Sequence, residues 1–413
     1  MSNKQIFAAL EIADHEIRLV VSELHNLKFN VLKVERVAID GILELMIINH
    51  ETVIEGIKKA VQNTSKMIGV PIKRVLLLIP SLTAKKITKK ITVKPVGLRI
   101  SINDIQSALK LALNAPIPEN LELVNFAYMR YNVNGFATRR MPINEKAETL
   151  TVEVDLLCAD KEMVWQYVKC IEQAELEIID IYLDTYAFCN EAALFEKAVG
   201  QYLYLIRLEK DSTTLSLLAN GRIENSVVIH NGYGSVVDYI VEQRHLATDV
   251  ADRLLRYNCK MVSKVSDSPI YLWSYDNKTH TISDEELANL ARFKLTEWID
   301  EIKQISEEIL KQEKVMGIVY GEGAIIQQLS EFISNALNIK FSLYVPDTLG
   351  IRDGALAPVA GAFYCYNDHE TLRSRSLYSV DNDAFIKMAN SVKTIEVVEK
   401  DDTLTNRFKK LFK

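Results

Sequence analysis

Hydrophobic and polar positions over the first forty residues form short apolar stretches separated by polar turns. Residues 6–12 and 16–24 are two such stretches, and only Ala13-Asp14-His15 lies between them. Residues 31–38 form a third stretch, so the pattern predicts a three-stranded meander. From residue 52 to residue 68 the apolar positions recur with helical spacing, which predicts a helix after the meander.

The same order of elements returns in the second half of the chain. Residues 202–208 and 213–218 have the pattern of two strands joined by a polar turn. Asn220-Gly221 then predicts a tight hairpin into a third strand at residues 223–229. Repetition of strand, turn, strand, hairpin and strand predicts two related α/β halves that face each other across a cleft.

A separate module interrupts the first half at residues 81–160. Its predicted elements are a strand at 88–93, a helix at 102–112, and strands at 123–131 and 148–157. In the second half, residues 284–311 have few helix breakers and predict one long helix. A short apolar strand at 315–319 follows and leads into Gly321-Glu322-Gly323-Ala324.

Composition excludes several classes of protein. The 413 residues carry a net charge of -6, which argues against a general nucleic-acid binder with a basic surface. The five cysteines form no CxxC pair, so the sequence predicts neither a zinc site nor a disulfide framework. The seven histidines have no metal-binding or protease spacing, and we interpret each as a surface or turn residue. No metal site and no catalytic residue is predicted.

The last eleven residues, 403–413, have the pattern of an amphipathic helix. Four apolar side chains share one face within about 100° of arc; they are Leu404, Phe408, Leu411 and Phe412. The remaining face carries Arg407, Lys409, Lys410 and Lys413. Apolar burial combined with cations favours binding to an anionic membrane surface. The alternative is that this segment packs on its own domain or on a partner helix.

Several segments, taken together and in chain order, carry a resemblance to a known family. They are Leu10-Glu11-Ile12-Ala13-Asp14, residues 207–214, residues 317–324, Val345-Pro346 and residues 357–362. Their order resembles the two phosphate loops, the adenosine motif and the later motifs of the actin-like ATPase superfamily. Within it the chain resembles the bacterial division family FtsA, which also has an inserted module and a C-terminal amphipathic helix.

The resemblance implies an α/β fold in which two halves surround a cleft, with an FtsA-type (SHS2-like) 1C subdomain inserted. The implied subdomains are 1A (residues 1–80, 161–200 and 351–368), 1C (81–160), 2A (201–226 and 306–350) and 2B (227–305). A linker (369–402) and the amphipathic helix (403–413) follow.

The phosphate loops depart from the family pattern. The first reads Glu11-Ile12-Ala13 instead of Asp-x-Gly, and the second, residues 207–214, has none of the family's three glycines. Phosphate loops need glycine because their backbone N–H groups must approach the phosphates. We therefore predict no hydrolysis and at most weak binding of ATP, with Mg²⁺ only if ATP binds. The candidate nucleotide contacts are Glu11, Ser212, Thr213, Gly321, Gly323 and Ala324; alternatively, the last three residues only allow a tight turn.

By resemblance, the chain is expected to polymerise and to tether the FtsZ ring to the cytoplasmic face of the cell membrane at the division septum. The FtsZ C-terminal peptide is expected on subdomain 2B, with Arg292, Lys294 and Glu297 as candidate contacts. Its other partners would be copies of itself and anionic lipid, and no nucleic acid is expected. Two alternatives stay open. One is a PilM-like adaptor of a pilus or secretion apparatus, and the other is an active actin-like ATPase.

Overall fold

The computed structural model describes residues 5–25, 28–262, 266–373 and 376–389. The predicted membrane helix, residues 403–413, lies outside the described residues, as does the linker beyond residue 389. In the described residues, no helix is both long enough and apolar enough to cross a bilayer.

The described residues contain eighteen strands. They are β1 (Gln5–Ile12), β2 (Glu16–His25), β3 (Lys28–Ala38), β4 (Ile42–Leu43), β5 (Met46–Ile47), β6 (Arg74–Ile79), β7 (Lys85–Val93), β8 (Leu121–Val133), β9 (Phe136–Thr138), β10 (Leu150–Asp160), β11 (Glu177–Leu183), β12 (Tyr202–Leu208), β13 (Thr213–Ala219), β14 (Arg222–Ile229), β15 (Pro269–Tyr275), β16 (Lys278–Ser283), β17 (Val315–Tyr320) and β18 (Phe341–Leu343).

The helices are α1 (His50–Ile68), α2 (Ile102–Leu113), α3 (Lys161–Gln173), α4 (Asp184–Glu191), α5 (Leu194–Lys197), α6 (Gly234–Arg244), α7 (Thr248–Tyr257), α8 (Asp284–Leu310), α9 (Leu329–Leu337) and α10 (Ala357–Asp368). Short 3-10 turns lie at Glu322–Ile325, Gly354–Leu356 and Glu370–Leu372. Residues 382–389 are also helical.

Two five-stranded sheets of the same topology form the two halves. Their strand orders are β11-β6-β1-β2-β3 and β14-β13-β12-β17-β18. In each half, three antiparallel strands of a meander lie at one side and two parallel strands lie at the other. The duplication predicted from the order of elements is therefore present. β1 and β12 are central and almost wholly buried, in agreement with their mostly apolar residues.

Local sequence signals determine several boundaries. Asn49 caps α1 by accepting hydrogen bonds from the next turn, and Gly69 ends it in the left-handed conformation at φ 76°. The predicted hairpin at Asn220-Gly221 has positive φ at both residues, 52° and 73°, as a two-residue hairpin of this type requires. The predicted long helix corresponds to α8, which Ser283 caps.

The inserted module is a four-stranded sheet in the order β7-β10-β8-β9, with α2 packed against it. It also contacts the second half of the chain: Lys86 pairs with Glu224 at 2.7 Å, and Arg222 pairs with Glu153. The module thus lies against both halves. Its identity as an FtsA-type 1C subdomain stays a prediction.

The structure differs from the predicted linker at residues 369–402 in the part that it describes. Val380 and Phe385 are buried in the core of the first half. Ser379 accepts a hydrogen bond from the Ala8 N–H at 2.7 Å through its hydroxyl, and its carbonyl accepts one from the Lys73 N–H at 2.9 Å. The segment is mostly polar, and the linker was predicted from that composition. Its few apolar residues nevertheless pack into the core of the first half.

Candidate functional site

The cleft between the halves is bordered by two short turns that contact each other directly. One joins β1 to β2 and the other joins β12 to β13. The Asp14 carboxylate accepts hydrogen bonds from the Asp211 N–H at 2.9 Å and from the Ser212 hydroxyl at 3.0 Å. Burial alone would raise the pKa of Asp14, but the hydrogen bond from His15 and nearby positive charge outweigh it and lower this pKa.

Arg18, on β2, lies behind these turns and has no solvent exposure. Its guanidinium pairs with Glu16 at 2.5 Å and, across the cleft, with Glu209 at 2.5 Å. A longer contact of 3.3 Å joins it to Glu11. One cation from the first half is therefore neutralised partly by the second half.

Arg207, at the end of β12, makes the reciprocal contacts from the second half. It pairs with Glu11 at 2.6 Å, with Asp184 at 2.6 Å and with Glu209 at 3.0 Å. Glu11 and Glu209 are thus each shared by both arginines. All four of these side chains are buried, so the pairs form one network inside the cleft.

A second layer of charges surrounds Glu322, which follows β17. Glu322 accepts from Arg36 at 2.9 Å and from Arg256 at 2.7 Å, and it contacts His15 at 3.0 Å. Burial would lower the pKa of His15, but its bonds to Asp14 and Glu322 raise this pKa to about 10. His15 is therefore an imidazolium at neutral pH and belongs to the network.

The network leaves little empty space among its own side chains, although a separate cavity of about 330 Å³ is lined by Asp14, Lys210 and Ser212 of the same turns. The cavity enclosed by Glu11, Asp14, Asp184, Arg207 and Glu209 has a volume of about 20 Å³. A space of this size holds a single water molecule. The arginines could neutralise phosphates only by giving up their carboxylate partners, and unpaired buried charges are costly.

The six predicted nucleotide contacts all have another structural role here. Glu11 belongs to the network, and the Ser212 hydroxyl donates to Asp14. Thr213 donates to the Asn231 carbonyl at 2.7 Å and accepts from the Trp298 indole at 2.9 Å. No contact with a nucleotide is established for any of them, so that role stays a prediction.

The glycines of the turn after β17 allow it to pack closely on β12. Gly321 has φ 99°, and a Cβ atom there would lie 2.6 Å from the Leu208 carbonyl oxygen. A Cβ atom at Gly323 would lie 2.7 Å from the Leu208 side chain, and Ala324 is buried beside them. These contacts support the alternative in which the three residues serve a tight turn.

Three residues near the turns have the spacing of a metal site. Ligand atoms of His15, Glu16 and Glu322 lie within 4.8 Å of one another, the one such group in the described ranges. Each carboxylate is already paired with arginine, including Arg36 to Glu16 at 2.6 Å and Arg256 to Glu322. Guanidinium groups therefore occupy the positions where a cation would bind.

The predicted partner residues lie on α8. The Arg292 guanidinium donates to the Met261 carbonyl at 2.8 Å, and Lys294 pairs with Glu297 at 2.6 Å on the exposed face. Phe293, which lies between Arg292 and Lys294 in the sequence, is 56% exposed. It borders a groove of about 580 Å³ whose walls also include Tyr239, Arg244, Pro269, Glu286 and Leu290.

Sequence reasoning missed much of the network. It did not identify Arg18, Arg36, Asp184 and Arg256, and it assigned His15 to a surface turn. One signal was present, because Arg207 interrupts an otherwise apolar strand and Arg18 directly precedes the apolar run of residues 19–21. A charge at a buried strand position requires a partner, although the sequence does not say which.

Solved structures of similar shape define the class of this protein. A PilM–PilN type IV pilus biogenesis complex is similar with a TM-score of 0.56 and 15% identity, over 89% of this chain and 98% of that one. MreB5 of Spiroplasma citri bound to ADP is similar with a TM-score of 0.50 and 13% identity, over 89% and 97%. The chain thus has the fold of the actin-like ATPase superfamily, and the predicted fold class is confirmed.

Curated relatives and a family model define the chain further. FtsA of Bacillus subtilis (strain 168) is 21% identical over 86% of this chain and 81% of that protein. FtsA of Enterococcus hirae is 20% identical over 100% and 99%. These relatives confirm the resemblance to FtsA. The family model described as type IV pilus assembly protein PilM matches residues 9–253, and the chain belongs to that family.

Arg207→Met should lower the free energy of unfolding by about 3–5 kcal/mol, because it leaves Glu11 and Asp184 buried without this cation. Urea titration followed by circular dichroism measures the loss. Arg253→Met, which removes a guanidinium whose side chain is 63% exposed, is the matched control. This control variant should change the free energy of unfolding by less than about 1 kcal/mol. Equal losses in the two variants would contradict the role of the network.

The imidazolium of His15 should make stability depend on pH. Its pKa is about 10 in the folded chain and 6.5 ordinarily, so its contribution is complete below pH 6.5 and is lost as the pH rises through about 10. Between these values, the stability of the chain relative to His15→Gln should fall by up to about 1.4 kcal/mol per pH unit. Urea titrations across this range measure the difference. Parallel curves for the two proteins would argue against a protonated His15.

Proposed function

We propose that this chain is a non-catalytic, actin-like scaffold of bacterial cell division. In this role it polymerises and tethers the FtsZ ring to the cytoplasmic face of the membrane, as expected of an FtsA-like protein. The proposal is supported by relatives named cell division protein FtsA, whose similarity extends over most of both chains. The single observation that carries its non-catalytic part is the buried ion-pair network in the cleft.

The network bears on function because it lies where the resemblance to the actin-like superfamily would put the phosphates of a nucleotide. MreB5, whose fold is similar, is described with bound ADP. In this chain, Arg18 and Arg207 join the two halves through ion pairs with their carboxylates. An assembly cycle driven by hydrolysis would require phosphates to enter and leave this volume. We infer that polymerisation does not depend on hydrolysis and that ATP binds weakly or not at all.

The groove beside α8 is the proposed site for the FtsZ C-terminal peptide. By resemblance, that peptide carries both apolar and charged residues. The groove offers apolar side chains at Tyr239, Leu290 and Phe293, with Arg244 and Glu286 at the same site. Arg292, Lys294 and Glu297 lie on the same helix and extend the charged part of this surface.

Membrane attachment is proposed for residues 403–413. Its support is the sequence pattern, in which two phenylalanines and two leucines oppose four cations. Each cation adds about 1 kcal/mol near anionic lipid, and burial of the apolar face adds to this. Ordering an eleven-residue segment that is marginally helical in water offsets much of this gain. Binding of one chain is therefore modest and reversible, and polymerisation would strengthen it by avidity.

A second candidate function is that of a PilM-like adaptor. The match to the PilM family model and the similarity to a PilM–PilN complex favour it. It shares the non-catalytic cleft with the first proposal and differs in the partner. Binding to PilN instead of FtsZ would therefore support this candidate and contradict the first.

Isothermal titration with Mg-ATP tests the state of the cleft. Ion pairs fill the space between the two turns, where the resemblance would put the phosphates. We therefore expect no binding of micromolar affinity and no release of phosphate. MreB5, which is described with bound ADP, serves as a positive control in the same buffer. Micromolar affinity together with turnover would contradict the non-catalytic proposal and support an active ATPase.

Flotation with anionic liposomes tests both attachments in one experiment. FtsZ should float with the liposomes only when the chain is present and only when FtsZ retains its C-terminal peptide. Phe408→Glu should release both proteins, because it places a charge on the apolar face. Phe293→Ser should release FtsZ alone, because the groove loses its exposed aromatic side chain.

Two matched variants complete the flotation experiment. Asn406→Glu adds the same charge on the polar face of the tail and should leave the chain on the liposomes. Ile305→Ser removes another half-exposed apolar side chain of α8, outside the groove, and should leave FtsZ bound. Failure of FtsZ to float with the wild-type chain, or flotation of PilN in its place, would contradict the division role.

A further inference from the structure

A second cavity lies away from the cleft, where the inserted module meets both halves of the chain. Its volume is about 150 Å³. The apolar walls are formed by Ala127, Met129 and Leu157 of the module, Tyr186 and Phe195 of the first half, and Ile223 of the second half. A cavity of about 150 Å³ with apolar walls accommodates a ring of the size of benzene.

An aromatic ring and two guanidinium groups lie at the rim of this cavity. The Tyr128 ring is contacted by Arg222, whose Cζ lies 3.7 Å from the ring centroid, and by Arg139 at 4.8 Å. Tyr128 has φ 32° and is the extra residue where β8 bulges relative to β10. Such bulges re-aim a side chain, and here the bulge directs Tyr128 towards the arginines.

Two of the cations at the rim, Arg222 and Lys86, have carboxylate partners. Arg222 pairs with Glu153 and lies 3.6 Å from Asp155, and Lys86 pairs with Glu224. Each of these two cations therefore has a carboxylate partner, and the Asp155 carboxylate in the wall is matched by Arg222.

Arg139 differs from its neighbours at the rim. It donates to the Asn220 carbonyl at 2.9 Å and to the Tyr128 hydroxyl, and within the described part of the chain it has no carboxylate partner. The absence of a side chain at Gly221 lets the guanidinium lie over the hairpin, since a Cβ atom there would be 2.7 Å away. A guanidinium with free donors beside an apolar cavity is suited to bind a carboxylate.

We propose that this cavity binds a small carboxylate with an aromatic or branched aliphatic body. The apolar body lies among Met129, Leu157 and Ile223, and the carboxylate accepts hydrogen bonds from Arg139 at the rim. Since the walls come from the module and from both halves, the bound molecule stabilises the arrangement in which the module contacts the second half. The site is independent of the cleft and of the proposed role in division.

Isothermal titration of the full chain with phenylacetate, and separately with isovalerate, tests the proposal. At least one of the two should bind saturably. Arg139→Gln should weaken that binding about tenfold or more, as expected when a charge-assisted hydrogen bond is lost. Arg140→Gln, an exposed neighbour that does not line the cavity, is the matched control and should bind like the wild type.

Two further measurements separate the apolar and charged parts of the site. Benzyl alcohol has the ring of phenylacetate without the carboxylate, so it should bind more weakly than phenylacetate. Its affinity should be the same for the wild type and for Arg139→Gln. Ile223→Phe should fill the cavity and abolish binding of every probe, with circular dichroism to verify folding. Met129→Phe fills the cavity from the opposite side and replaces that variant if it does not fold.

The outcomes are decisive in either direction. Saturable binding that Arg139→Gln weakens and Arg140→Gln does not supports the proposal. Absence of saturable binding by both carboxylates, equal effects of the two glutamine variants, or unchanged binding after the cavity is filled would each overturn it.

Discussion

Two guanidinium groups buried between the halves determine how this chain is held together. Arg18 and Arg207 each pair with carboxylates from both halves, and Arg18 is completely shielded from water. Removing such charges from water is costly, and the cost is offset only while every partner is in place. Separation of the halves would break the pairs of Arg18 with Glu209 and of Arg207 with Glu11 and Asp184 at once. The closed form of the cleft therefore depends on these pairs.

The departures from the phosphate-loop pattern are connected through the same network. Glu11 replaces the aspartate of the first loop, while Arg207 and Glu209 replace an aspartate and a glycine of the second. Each of these three residues pairs with another of them in the cleft. The replaced positions thus neutralise one another through ion pairs, and the pair of Arg207 with Glu11 joins the two halves.

Contacts outside the cleft restrain the same two halves. The inserted module is paired to the second half through Lys86 and Glu153, and residues 376–389 pack on β1 and β6 of the first half. The chain thus resembles an actin-like ATPase in topology while ion pairs and side-chain packing hold its closed form.

The sequence by itself determined the duplicated meanders, the inserted module, the hairpin at Asn220-Gly221 and the loss of the phosphate-loop glycines. These features depend on residues close together in the chain, through the period of strands and helices and the backbone freedom of turns. Only the tertiary structure decided that Arg18 pairs with Glu209, that the partly buried His15 is charged, and that residues 376–389 pack on the core. Those contacts join residues far apart in sequence, and a charged residue in a strand does not specify which distant partner will neutralise it.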